Sequence, residues 1–230
     1  MTRSEVVPGA RYHEDLASRW TDAYKTGSFG RRLRFLEPFL DRVVRPGNRW
    51  LDAGCGSGVL SRCLVARGAT VIAMDASPAM IARAREAESR GIEYRLVASI
   101  ETLDVPESSL DGVLCSSVLE YVADPTAAVR EFHRVLRPGG TLILTVPNRL
   151  SAIRMAQHAA RTAAGLVGKP LFDYLGVSSH SFSRRSSEDL LHGAGFVVDD
   201  VAGFSPYWPR LLVPAGLGAL WMLAGHRAAA

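Results

Sequence analysis

The sequence predicts an α/β fold built on a doubly wound, mostly parallel sheet. Two observations carry this. Short apolar runs alternate with amphipathic helical stretches from residue 49 onward, and that order calls for a sheet covered by helices on both faces. A glycine-rich stretch joins the first run to the first helix, where open parallel sheets bind their ligands. At 230 residues, 47% apolar and 22% charged, the chain is large enough for one substantial core and has ordinary globular composition.

The elements follow in order. Residues 1–46 read as helical, with Tyr12, Trp20, Tyr24, Phe29, Phe35 and Phe39 among charges, and are expected to form a lid. Pro46-Gly47 punctuates. Trp50 to Ala53 reads as a strand, and Ser57 to Arg67 as a helix ended by Gly68. Thr70 to Met74 is the next strand. Pro78 to Ser89 is a helix with proline in its first turn and Ser77 as its cap. Glu93 to Val97 and Gly112 to Cys115 are strands. Pro125 to Leu136 is a helix stopped by Pro138-Gly139-Gly140, and Thr141 to Val146 a strand. Residues 147–185 break the alternation and read as an inserted helix with a Ser-rich loop, a second part of the lid. Ser186 to His192 resumes a helix, and Phe196 to Val201 forms a strand. The whole is read as one domain: lid 1–46, core 47–146, inserted lid 147–185, and 186–230 as a C-terminal helix, strand and apolar tail. A seventh strand stays open, because Pro206, Pro209 and Pro214 interrupt its expected region.

Composition narrows the partners. The net charge of +4 is too small to imply nucleic acid, so none is expected. Cys55, Cys63 and Cys115 lack C-x-x-C spacing, which argues against structural zinc. Their odd number, with no apolar leader, points to a cytoplasmic protein. The apolar segment Leu211 to Gly225 is about 15 residues long where spanning needs roughly 20. It reads as a packed helix or strand, with peripheral membrane contact through this tail as the alternative.

The strongest signal is Leu51-Asp52-Ala53-Gly54-Cys55-Gly56-Ser57-Gly58. Glycines at alternate positions allow a tight turn and close approach of a ligand. A dinucleotide fingerprint would want a third glycine at position 59, which is Val59, and does not call for the carboxylate at Asp52. A ligand with a cationic group near Asp52 fits better than a pyrophosphate. Asp75 closes the next strand, where a carboxylate can accept both hydroxyls of a ribose.

These stretches, with VIAMDASPAMI (71–81), SSLDGVLCSSVLEYVADP (109–125) and LRPGG (136–140), resemble the class I S-adenosylmethionine-dependent methyltransferases from about Arg49 to Phe196. Within that class the likeness is to small-molecule O-methyltransferases of the ubiquinone-biosynthesis type. The resemblance implies a Rossmann-like fold and S-adenosyl-L-methionine as cofactor. Asp52 would hold the methionine amino group and Asp75 the ribose. Ala53, Gly54, Gly56, Gly58 and Ser116 would line the cofactor, with Met74 and Ala76 flanking the adenine. One departure is that Ser99, followed by Ile100 and Glu101, stands where the family often has an aspartate toward the adenine amino group.

Acceptor classes can be tested by motif. The Asn/Asp-Pro-Pro-aromatic motif of amino-methylating enzymes is replaced by Cys115-Ser116-Ser117-Val118, and no Pro-Cys nucleophile occurs. The fourth and fifth strands end at Cys115-Ser116 and Pro147-Asn148, which supply no carboxylate pair, so no catalytic metal is expected. The reading is a methyltransferase acting on a small, partly apolar phenol, quinol or secondary metabolite. N- or C-methylation of a small molecule or lipid, and a non-catalytic cofactor-binding subunit, stay open. His180 is the candidate general base, because a near-neutral imidazole can take a phenol proton. Glu120 and Tyr121 are expected to line the acceptor pocket or orient the acceptor, and Asn148 is a further pocket candidate. Tyr12, Trp20 and Tyr24 are candidates to close over the cofactor. The oligomeric state is not legible.

Overall fold

The computed structural model describes residues 24, 27–87, 90–166, 171–205 and 217–228. Tyr12 and Trp20 lie outside them. The helices are α1 (Gly27–Val43), α2 (Val59–Val65), α3 (Pro78–Glu86), α4 (Pro125–Val135), α5 (Ala152–Leu166), α6 (Tyr174–Val177) and α7 (Arg184–Gly193). The strands are β1 (Arg49–Ala53), β2 (Thr70–Asp75), β3 (Ile92–Leu96), β4 (Leu110–Ser116), β5 (Leu136–Pro147), β6 (Phe196–Phe204) and β7 (Leu220–Arg227). They form one sheet in the order β3-β2-β1-β4-β5-β7-β6. The first five run parallel, and β7 is antiparallel to both β5 and β6. The fold is therefore the expected Rossmann-like α/β architecture.

Period-two alternation sorts the strand residues onto two cores. Trp50, Val71, Ala73, Leu114, Ile143 and Met222 pack with Leu36, Leu40 and Val44 of the α1 region and with Leu64 of α2. Leu51, Ile72, Met74, Val113, Cys115, Leu142 and Leu144 pack with Val129 and Phe132 of α4 and Leu191 of α7. Each fully buried leucine or phenylalanine contributes about 1.5–3 kcal/mol. The second half of α1 is thus a core helix of the sheet.

The seventh strand exists, because Pro206, Pro209 and Pro214 all precede it and β7 begins only at Leu220. Residues 220–224 are buried between β5 and β6, so this part of the apolar segment is a packed strand, the first of its two readings. Strand β5 also starts at Leu136, before the Pro138-Gly139-Gly140 turn, and its pairing with β4 shifts register there. Among the described residues, no helix is long and apolar enough to cross a membrane.

Candidate active site

Strand order reverses between β1 and β4, and the site lies at the carboxyl ends of these strands. The turn after β1 is held from below: Gly54 and Cys55 both donate their N–H to the Met74 carbonyl, at 2.8 and 2.9 Å. Gly54, Gly56 and Gly58 all take left-handed φ values of 80°, 53° and 75°. At Gly54 the space matters as well, because a Cβ would stand 2.2 Å from a methyl of Val118. The loop after β4 therefore lies directly on the glycine turn.

Asp52 ends β1 on the α1–α2 face. It is 1% exposed, and its Oδ2 accepts the Ser61 hydroxyl at 2.5 Å. Burial pushes its carboxyl up to about 7, the Ser61 bond opposes this, and the neighbouring Asp75 charge adds to the rise. Asp75 ends β2. Its two oxygens accept the N–H groups of Gly56 at 2.8 Å and Ser77 at 2.9 Å. The carboxylate thus ties the glycine turn to the start of α3. Ser57, in the same turn, is buried with a hydroxyl that has no partner. Two acids, an unpartnered hydroxyl and glycines with no side chain form a cradle for a cationic, hydroxyl-bearing ligand.

The other predicted cofactor residues divide. Ala53 and Met74 are buried in the core, so Met74 meets the turn through its carbonyl and not its side chain. Ala76 is half-buried beside Asp75. The Ile100 side chain also belongs to the core. The Ser99 hydroxyl donates to Glu101 Oε2 at 2.7 Å and accepts the Glu101 N–H. Glu101 Oε1 in turn accepts the Asp124 N–H at 2.5 Å, which fixes this loop to the start of α4. Ser116 and Ser117 place their hydroxyls 3.1 and 3.4 Å from the Thr145 hydroxyl, across β4 and β5.

Glu120 sits in the turn after β4. It is 4% exposed, and its Oε2 is buried without a hydrogen-bond partner. Burial pushes its carboxyl up to about 7, opposed by its own backbone N–H and then by the charges of Arg32 and Arg154. Its carbonyl accepts the N–H groups of Ser179 at 2.8 Å and His180 at 3.3 Å. His180 Nε2 lies 3.0 Å from the Val122 carbonyl. A carbonyl only accepts, so Nε2 carries the proton and Nδ1 of the neutral ring is left as the acceptor. The inserted segment is thus stitched onto the Glu120 turn, bringing His180 and Glu120 together. Tyr121 is half-buried beside them. Asn148 instead braces the end of β5: its amide donates to the Gly218 carbonyl at 2.8 Å and accepts the Leu150 N–H at 2.9 Å.

Tyr24 packs its ring 5.1 Å from Phe29, and burial pushes its phenol up to about 12, with the Arg32 charge opposing and the Asp52 charge adding. Arg32 has a buried Nε without a partner and lies over the Phe29 ring. Sequence reasoning missed Arg32 and Arg154. Neither stands in a motif, and their place in the site follows from how α1 and α5 pack.

A doubly wound sheet with a glycine turn at its switch point and acids ending its first two strands defines a class I methyltransferase. Residues 51–144 match the family described as methyltransferase domain. The chain is 40% identical over 169 residues to a ubiquinone biosynthesis O-methyltransferase from Xanthomonas campestris, 69% of each chain. It is 30% identical over 230 residues to one from Pseudomonas savastanoi, 94% of this chain and 95% of that one. Its fold matches magnesium protoporphyrin IX methyltransferase from Synechocystis with bound SAH, at a TM-score of 0.69 and 18% identity over 96% of this chain and 100% of that one. The chain belongs to the class I S-adenosylmethionine-dependent methyltransferase family, and S-adenosyl-L-methionine is its cofactor. The cradle fits that group: buried acid, bare hydroxyl and glycine turn are the donor and acceptor set it requires.

Proposed function

We propose that the chain transfers a methyl group to a hydroxyl oxygen of a small, partly apolar molecule, a phenol or quinol. One observation carries this reading: the unpartnered, buried carboxyl oxygen of Glu120, whose proton affinity lies near neutrality. A general base is most effective when its pKa is close to the working pH. Glu120 takes the acceptor's hydroxyl proton as the new O–CH3 bond forms. The His180 ring, fixed by the Val122 carbonyl, offers Nδ1 as the next acceptor on the same turn. The names of the Xanthomonas and Pseudomonas relatives support oxygen as the nucleophile.

When bound, the cofactor supplies a methyl group on a positively charged sulfur, ready for direct displacement. The chain's own residues do the rest. Asp52 would hold the cofactor's ammonium, Asp75 its ribose hydroxyls, and Arg32 its carboxylate. The lid excludes water and aligns the acceptor; alignment of this kind contributes about 7–11 kcal/mol. Tyr121 and Ser116 line the space between them.

A labelled-methyl transfer screen over phenols, quinols, amines and lipids tests this. Label is expected on phenolic oxygen. Glu120→Gln should lower kcat/KM by about 10²–10⁴ and erase the pH limb near neutrality, with a smaller loss in His180→Ala. Label found only on amines, or unchanged kinetics in Glu120→Gln, would contradict the reading. Cofactor binding with no transfer to any acceptor would favour a non-catalytic subunit.

A further inference from the structure

We infer that the acceptor carries an anionic group, a carboxylate or its equivalent, besides its reactive hydroxyl, and that Arg154 selects for it. This narrows the substrate class and rests on the O-methylation reading above. It starts from the unpartnered Glu120 oxygen. A bare carboxyl oxygen inside a protein demands a donor, and the hydroxyl of a bound molecule is one.

The surrounding chain fixes what the rest of that molecule meets. Glu120 is tied through its carbonyl to the Ser179 N–H at 2.8 Å. The preceding residue, Ser178, accepts from Arg154 at 3.3 Å. The Arg154 guanidinium therefore stands beside the turn that holds Glu120, and its charge bears on the Glu120 carboxyl. It is half-buried and lies over the Tyr174 ring, 5.9 Å from its centre.

Its donors are nearly unspent. Five N–H groups in a planar fork match a carboxylate in two parallel bonds. Among the described residues the one hydrogen bond to that fork is the long contact with Ser178, and no carboxylate pairs with it within ion-pair distance. Tyr174 does not compete for the fork through its hydroxyl, which donates to Gln157 at 2.7 Å. A group that seeks a hydroxyl and a group that seeks an anion are thus held by one strap of chain. An aromatic hydroxy acid satisfies both at once, because its ring separates the two functions and can lie along Tyr174.

The test uses the full chain and three probes: 3,4-dihydroxybenzoate, its methyl ester, and catechol. KM is measured by labelled-methyl transfer, and Kd by calorimetry on protein saturated with S-adenosylhomocysteine. The acid is expected to show KM and Kd about tenfold or more below those of both neutral probes, the scale of a charge-assisted pair. Arg154→Met should bring the acid within about twofold of the neutral probes, and Arg154→Lys should restore part of the difference, because a point charge replaces the fork. Neutral probes handled as well as the acid, or an acid preference that survives in Arg154→Met, would overturn the inference and leave O-methylation standing. Transfer to none of the three, with no binding of the acid, would overturn both.

Discussion

Asp52 and Glu120 are carboxyl groups that folding takes out of water, and their chemistry sets how the free enzyme responds to pH. Both are pushed up to about 7 by burial. Between their ordinary pKa values near 4 and that value, the folded chain holds protons that the unfolded chain has released. Stability therefore falls as pH rises through this window. A shift of this size for Glu120 corresponds to about 3 kcal/mol. Glu120→Gln is thus expected to be more stable than the parent at pH 8 and to lose that advantage by pH 5, in denaturant titrations of cofactor-free protein. An advantage independent of pH would show that Glu120 is ionised throughout. Gly54 belongs to the same scale. Its φ of 80° and the Val118 methyl leave no room for a side chain. Gly54→Ala should abolish cofactor binding measured by calorimetry, and retained affinity would contradict the close packing of the two loops.

At the scale of elements, polar caps decide where helices begin. Ser77 accepts the Met80 N–H at 3.2 Å with Pro78 at the first helical position, as its sequence predicts. Asp124 accepts the N–H groups of Thr126 at 2.8 Å and Ala127 at 3.2 Å, and so starts α4. The same segment anchors the Ser99–Glu101 loop through the Asp124 N–H. Asp124→Ala should cost about 0.5–2 kcal/mol in stability, the range for a lost cap. A stability loss outside that range would contradict the side-chain cap as what holds the start of α4. The strands and the glycine turn were legible because they rest on local rules: alternation, proline at a first turn, glycine at positive φ. Arg32 and Arg154 were not, because a helical arginine reaches a site only through tertiary packing. Asn148 looked like a pocket residue because its place at the end of β5 is shared by functional and bracing side chains.

Across the whole molecule, β7 is the piece that the sequence conceals. Prolines before it hide its start, and its apolar content reads equally as a tail. Yet β7 pairs with both β5 and β6, so it joins β6 to the sheet. Arg227, at its end, donates to the Leu136 carbonyl at 2.6 Å and the Ser108 hydroxyl at 3.1 Å, which locks the strand to the junction of α4 and β5. Truncation after residue 219 should therefore leave an insoluble or unfolded chain. A truncated chain with native circular dichroism and melting would contradict this placement. The same architecture brings the ends of β1, β2 and β4 to one edge, where Asp52, Asp75 and Glu120 stand.

Calorimetric titration of the purified chain with S-adenosylhomocysteine probes that edge most directly. One site per chain is expected, with affinity lowered at least tenfold in Asp75→Ala while circular dichroism stays native. An affinity unchanged by Asp75→Ala, or no heat from this ligand while another nucleotide binds, would contradict the account.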